Sequence, residues 1–214
     1  HGGVLPDYVK VTFANTGREM PETLDFVKEC ADQWGVDIAW VEYYGRTIQE
    51  NGKNFDYRYR VVNHATASRN GEPFSLLVKD TGGVPNPVSR YCSGQLKVRT
   101  IKRYLIDQGF ELPYTALIGI RGDEKRRAVK LHGKLSDGQD CWCPLYVDGI
   151  TKEDIYDFWS KQNFDLRLHN NNGVTDWGNC DLCFLKGKTK RLSIIRERPD
   201  LADWWIEKEK ATGD

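Results

Sequence analysis

The sequence predicts an α/β fold in which a mostly parallel sheet is flanked by helices, and three stretches predict it. Tyr8-Val-Lys-Val-Thr-Phe-Ala14 alternates and is rich in β-branched and aromatic residues, the pattern of a strand. A helical stretch and a second strand, Val36-Asp-Ile-Ala-Trp-Val-Glu42, follow directly, and a strand–helix–strand unit of this kind lays its two strands parallel. Farther along, Tyr114-Thr-Ala-Leu-Ile-Gly-Ile120 is almost wholly apolar, as expected of a central parallel strand covered on both faces. Together they describe a Rossmann-like sheet, followed by a C-terminal extension that carries cysteines.

Each element has a local reason. Asn15-Thr16-Gly17 stops the first strand. Pro21 is tolerated in a first helical turn and Glu22 suits its positive end. Leu24, Val27, Cys30, Ala31 and Trp34 then recur at helical spacing until Gly35. Residues 44–90 contain a strand-like run, Tyr57-Arg-Tyr-Arg-Val-Val62. The remainder is rich in Gly, Asn and Pro and reads as an excursion with a long loop. Leu96, Ile101, Tyr104 and Leu105 predict a helix over residues 95–107, ended by Gly109. Thr151-Lys-Glu-Asp154 reads as a capping box ahead of Ile155, Phe158 and Trp159, and Leu201, Trp204 and Trp205 mark a last helix. A chain of 214 residues suits one domain with elaborations. Residues 1–140 form the α/β core and 141–214 a helical extension packed on it.

Composition narrows the function. With 31 basic and 31 acidic residues the chain has no global field to draw it to DNA or a membrane, so nucleic-acid contact must be local. No apolar run is long enough to span a bilayer, and His1-Gly2-Gly3-Val4-Leu5-Pro6 lacks the charged and apolar regions of a signal peptide, which predicts a cytoplasmic protein. Four of the six cysteines form two close pairs, Cys141/Cys143 and Cys180/Cys183. In a reducing compartment such pairs suggest metal before disulfide.

In open α/β sheets ligands bind beyond the carboxyl ends of the strands. Two polar clusters sit there. In Asn15-Thr-Gly-Arg-Glu-Met-Pro-Glu-Thr23, Gly17 permits an unusual backbone turn and the helix that follows offers amide donors to an anion; a plain strand-to-helix turn also explains each residue alone. In Gly119-Ile-Arg-Gly-Asp-Glu-Lys-Arg-Arg127, guanidinium groups crowd the end of the apolar strand. They suit bidentate contact with phosphate or sulfate, against the alternative of a solvated loop.

Between these clusters lies Arg90-Tyr-Cys-Ser-Gly-Gln-Leu-Lys97. Asn15-Thr-Gly…Pro-Glu-Thr23 resembles the strand-end motif of the phosphoadenosine phosphosulfate (PAPS) reductase family. Cys92-x-x-x-x-Lys97 resembles that family's cysteine-then-lysine helix start, and Gly-Ile-Arg121 with Glu124 and Arg127 resembles its arginine motif, in the same order and at matching spacing. The resemblance covers most of residues 8–200. It implies an adenine nucleotide α-hydrolase-like fold and a site for ATP, adenylyl sulfate or PAPS, serving sulfur transfer, sulfonucleotide chemistry or chemistry at the ATP α-phosphate. On this reading Asn15, Thr16, Gly17, Glu22, Thr23 and Gly119 lie along the nucleotide. Lys97, Arg121 and Arg127 neutralise phosphate or sulfate, and Glu124 orients a nucleophile or Mg²⁺.

Two departures stand out. Family members open with a strand and a Ser-Gly-Gly-x-x-Ser phosphate loop, whereas Gly2-Gly3 has neither the serines nor a preceding strand, so the chain reads as starting one βα unit late. The reductases end in Glu-Cys-Gly, whereas this chain reads Lys210-Ala-Thr-Gly-Asp214. In the iron–sulfur branch of the family, a Cys-Cys pair at the place of Tyr91-Cys92 joins a distant CxxC to hold a [4Fe-4S] cluster. Here Tyr91 replaces one ligand. The resemblance thus implies Cys92, Cys180, Cys183 and either Cys141 or Cys143, with Cys143 favoured by the rigid Cys143-Pro144 turn. Four thiolates suit a cluster or Zn²⁺, and buried free thiols are the alternative. Cys30, on the apolar face of its helix, is core. Lys186, Lys188, Lys190 and Arg191 form a basic, turn-rich stretch that reads as a track for a nucleic-acid backbone or as a solvated loop. Two alternatives to nucleotide enzymology therefore stand beside it: a sulfurtransferase acting on DNA or RNA, and a non-catalytic nucleotide-binding or interaction module.

Overall fold

The computed structural model describes residues 5–50, 52, 54–170 and 175–213. Gly2-Gly3 and Asp214, on which the readings of the two chain ends bear, lie outside the described residues. Contacts divide the chain into two units, a partition different from a boundary at residue 140. The first holds the described residues up to Tyr104 with 166–170 and 175–213; the second holds 105–165.

Unit 1 opens with the strand–helix–strand motif. Strand β1 (Val11–Asn15) pairs in parallel with β2 (Ile38–Ile48), Val11 beside Ile38 and Asn15 beside Glu42. Helix α1 (Pro21–Trp34) makes the crossover, with Pro21 in its first turn and Gly35 closing it in the left-handed region, at φ 60°. β2 then folds back antiparallel on β3 (Phe55–Val62), with an irregularity between Tyr43 and Arg46 where Gly45 takes φ 101°, so the sheet order is β1-β2-β3.

The stretch read from sequence as a long loop contains more than that. Helix α2 (Glu72–Thr81) runs between Gly71 and Gly82, both left-handed, and buries Phe74, Leu77 and Val78, spaced as one helix face. The helix predicted over 95–107 is two segments, a π-helix from Ser93 to Arg99 and α3 (Thr100–Asp107). Thr100 Oγ1 donates to Gln95 O at 2.8 Å. The basic stretch after the CxxC is also helical, since α7 (Lys188–Glu197) starts just after Gly187; α8 (Asp200–Thr212) follows. Tyr43, Phe74, Leu77, Val78 and Leu96 form one core cluster, with Trp204 and Trp205 packed against it. Met20, Leu168, Trp177 and Ile194 form another.

Unit 2 has its own sheet, ordered β4-β6-β5, from β4 (Tyr114–Leu117), β5 (Lys134–Ser136) and β6 (Gln139–Trp142). β4 and β6 are parallel, joined through α4 (Lys125–Leu131). β5 and β6 form a hairpin whose Asp137-Gly138 turn has positive φ at both residues, the geometry that matches strand twist. Helices α5 (Pro144–Val147) and α6 (Lys152–Ser160) follow; Thr151 and Asp154 cap α6 reciprocally. The apolar run 114–120 is not a central strand. It is an edge strand that ends at Leu117, itself 67% exposed.

The protein is thus a mixed α/β protein with two small sheets, each combining one parallel and one antiparallel pair among the described residues, rather than one mostly parallel sheet. No described helix is long and apolar enough to cross a membrane.

One buried carboxylate ties the first sheet together. Glu42 accepts hydrogen bonds from Asn15 Nδ2 at 2.6 Å, from the Ser68 amide at 2.7 Å and hydroxyl at 2.9 Å, and from Arg60 Nε at 2.8 Å. Removing it strands the buried donors of Asn15 and Ser68. Glu42→Ala is therefore expected to lower the unfolding free energy by about 3 kcal/mol or more, read in urea melts, whereas a surface control such as Glu50→Ala stays within about 0.5 kcal/mol.

Candidate functional site

The site grows from the carboxyl end of β1, where the chain must leave the sheet and turn into α1. Gly17 adopts φ 75° and lies so close to Gly71 that a Cβ would sit 3.0 Å from the Gly71 backbone, so a side chain there is excluded twice. Thr16 and Glu19 close the turn: the Thr16 amide and hydroxyl both donate to Glu19 Oε2, at 2.9 and 2.8 Å. Asn15 is fully buried and spent on structure, donating to Glu42 and to Ser68 O, and accepting from the Gly17 amide at 3.1 Å. In contrast, the buried atoms Glu22 Oε2 and Thr23 Oγ1, in the first turn of α1, have no hydrogen-bond partner among the described residues.

A buried ion pair joins this turn to the CxxC segment. Arg18 pairs with Asp181, the residue after Cys180, and its guanidinium lies 4.5 Å from the Trp204 ring centre. Asp181 is satisfied on all sides. It also accepts from Trp205 Nε1 at 2.8 Å and from the Leu182 amide at 2.6 Å, while its own amide donates to Arg18 O. Thr16 Oγ1 consequently lies 3.6 Å from Cys180 Sγ.

Cys92, at the start of the π-helix, and Cys180 both pack against the core cluster around Leu96, and Cys92 and Cys180 each interact electrostatically with Cys183. Two ammonium groups border these thiols. Lys97 reaches Glu19 Oε1 at 3.3 Å and stays 39% exposed, which leaves one side of it open. Burial works against its charge, but Glu19 and the neighbouring Cys180 and Cys92 outweigh that and raise its pKa. Lys186 donates to Asp176 O at 2.5 Å and to Gly178 O at 2.7 Å, stapling the loop before the CxxC. Burial lowers its pKa despite nearby Cys183, Asp181 and Cys180. Lys190 is bound to Asp176 at 2.7 Å. Two of the four basic residues considered as a nucleic-acid track therefore hold their own loop.

The expected arginine loop lies in unit 2. Arg121 forks onto Asp123, Nε to Oδ1 at 2.8 Å and Nη2 to Oδ2 at 3.0 Å. Glu124 accepts from the Arg121 amide and pairs with Arg127. Gly119 leaves ordinary space, a Cβ lying 4.0 Å from Leu145. Cys143 is fully buried with Ile120 and Ala128, and its amide donates to His132 Nδ1 at 3.2 Å. Cys141 is buried as well.

A thiolate-bound metal suits this donor set in kind, since Cys92, Cys180 and Cys183 supply three sulfurs beside two cations that favour the ionised form. Among the described residues, no three His, Cys, Asp or Glu stand at ligating spacing. Sequence reasoning assigned no role to Arg18, Glu19 or Asp181. The only signal was their position inside quoted motifs, since a charged residue between two CxxC cysteines does not announce a buried partner.

Comparison with known proteins gives one distant likeness. The chain is 29% identical over 195 residues to the uncharacterized nin region protein ORF290 of Escherichia phage lambda, an alignment covering 85% of this chain and 58% of the phage protein. The chain therefore spans little more than half the length of that relative. No family model matches the chain. No solved structure matches it.

Burial raises the Cys180 pKa to about 12, with Glu19 adding to the effect and Lys97 opposing it. A thiol with a raised pKa stays protonated at pH 8 and ionises only as pH climbs toward that value. In metal-free protein, Cys180 is expected to alkylate with iodoacetamide about a hundredfold or more slowly than free cysteine at pH 8, accelerating through pH 11, as read by peptide mass mapping.

Proposed function

We propose that unit 1 is the nucleotide-facing part of a PAPS reductase-like enzyme, which binds an adenine nucleotide at the carboxyl end of β1 for sulfur transfer or sulfonucleotide chemistry. The observation that carries this reading is the meeting of three segments far apart in sequence. The turn 15–19, the π-helix with Cys92 and Lys97, and the CxxC with Lys186 lie within hydrogen-bond or charge-interaction range of one another.

In this reading Lys97 offers its exposed side to a phosphate or sulfate oxygen, and Glu19 keeps the ammonium charged and aimed. The first turn of α1 presents its amides, with Thr23 Oγ1 as a further donor. Glu22, also unpartnered, suits a sugar hydroxyl or a metal-bound water rather than an anion. In unit 2, Arg121 would engage an oxyanion by exchanging it for Asp123, while Glu124 holds Arg127. Cys92, Cys180 and Cys183 would supply three thiolates to a [4Fe-4S] cluster or Zn²⁺. Such a centre supplies a positive field and, for iron, an electron relay.

Two measurements test this. Isothermal titration of the protein with ATP, adenylyl sulfate and PAPS is expected to show binding of at least one, weakened about tenfold or more in Lys97→Met. Failure of all three to bind defeats the nucleotide reading. Anaerobically purified protein is expected to contain iron or zinc, and Cys180→Ser to lose most of it; full metal content in that variant removes the ligand assignment.

A further inference from the structure

Helices α7 and α8 of unit 1 turn two matching faces toward a cavity of about 410 Å³, within the size range of small-molecule sites. Its walls are apolar: Leu192 and Ile195 from α7, Trp205 and Ile206 from α8, and Leu182 from within the CxxC. This is not interior sealed by packing, because Leu192 and Ile206 remain 42% and 44% exposed. Three charged residues also line it, Lys188 and Arg191 one turn apart on α7 and Glu209 on α8.

Arg191 decides what such a cavity would hold. Its Nε is buried and has no hydrogen-bond partner among the described residues, and no described carboxylate pairs with either Arg191 or Lys188. A buried guanidinium N–H without an acceptor is unfavourable, and an oxyanion is the acceptor a guanidinium fits best. Two cations set against one carboxylate leave a single net positive charge. The body of the ligand must meet an indole and aliphatic walls.

We propose that this cavity binds a small amphipathic monoanion, an aromatic or alicyclic body bearing one carboxylate or sulfonate, with Arg191 taking the anion and Trp205 lying against the body. The site uses none of the groups assigned above to the nucleotide or the metal.

Anilinonaphthalene sulfonate has this chemistry, and phenylnaphthylamine is nearly the same body without the charge. Fluorescence titration of the full chain, with stoichiometry from equilibrium dialysis, is expected to show one saturable sulfonate site. Arg191→Met should weaken the sulfonate about tenfold and change the uncharged probe by less than about twofold. Ile206→Asp should remove both probes. Leu192→Gln, at a second exposed wall position, should weaken both, each variant being checked by its thermal melt. The proposal fails if sulfonate binding is unsaturable, if Arg191→Met weakens both probes equally or neither, or if folded wall variants bind like the parent.

Discussion

The buried pair of Arg18 and Asp181 is the constraint on which the arrangement around the thiols depends. It joins the turn after the first strand to the middle of the CxxC segment, far away in the chain, and both partners are almost wholly removed from water. A lone charge in that position would be strongly unfavourable, so each partner is tolerated only because the other is present. Trp205 and the Leu182 amide also donate to Asp181, and the Trp204 ring lies against the Arg18 guanidinium, whose buried Nε has no hydrogen-bond partner among the described residues. The C-terminal helix is thereby tied to the same point, and Thr16 is brought to Cys180 as a by-product of satisfying a charge.

Electrostatics around the thiols follow a similar economy. Burial pushes the pKa values of Cys92 and Cys180 upward. Lys97 opposes that tendency at Cys180, Lys186 lies within charge-interaction range of Cys180 and Cys183, and each is itself held by a neighbour: Lys97 by Glu19, Lys186 by the carbonyls of Asp176 and Gly178. The cations are therefore positioned before any ligand arrives, which reduces the reorganisation that binding or metal uptake would require.

Much of unit 1 was legible in the sequence because its signals were redundant. Strand alternation, Pro21, the apolar stripe and Gly35 all pointed to the same β-α-β unit, whose parallel register sets Asn15 beside Glu42. Helix α2 was missed although Phe74, Leu77 and Val78 have helical spacing, because the glycines at both ends read as loop punctuation. The run 114–120 misled in the opposite way. An apolar run reveals that a strand is sticky but not which of its faces is covered, and β4 lies at a sheet edge with Leu117 outward. For the site, no spacing rule brings Cys92 to Cys180 and Cys183; only family resemblance grouped them. Asn15 illustrates the converse limit, since a residue in a ligand-like motif can be consumed by the scaffold.

The π-helical turn between Cys92 and Lys97 carries a geometric implication. Five residues along an ordinary α-helix turn the chain about 140° past a full circle, which would point these two side chains to different faces. The wider π turn, bonded from each residue to the fifth along, rotates less per residue and brings positions five apart closer to one face. The π turn thus acts as an angular spacer: it lets a cysteine and a lysine five apart share a neighbourhood that an ordinary helix reserves for positions four apart.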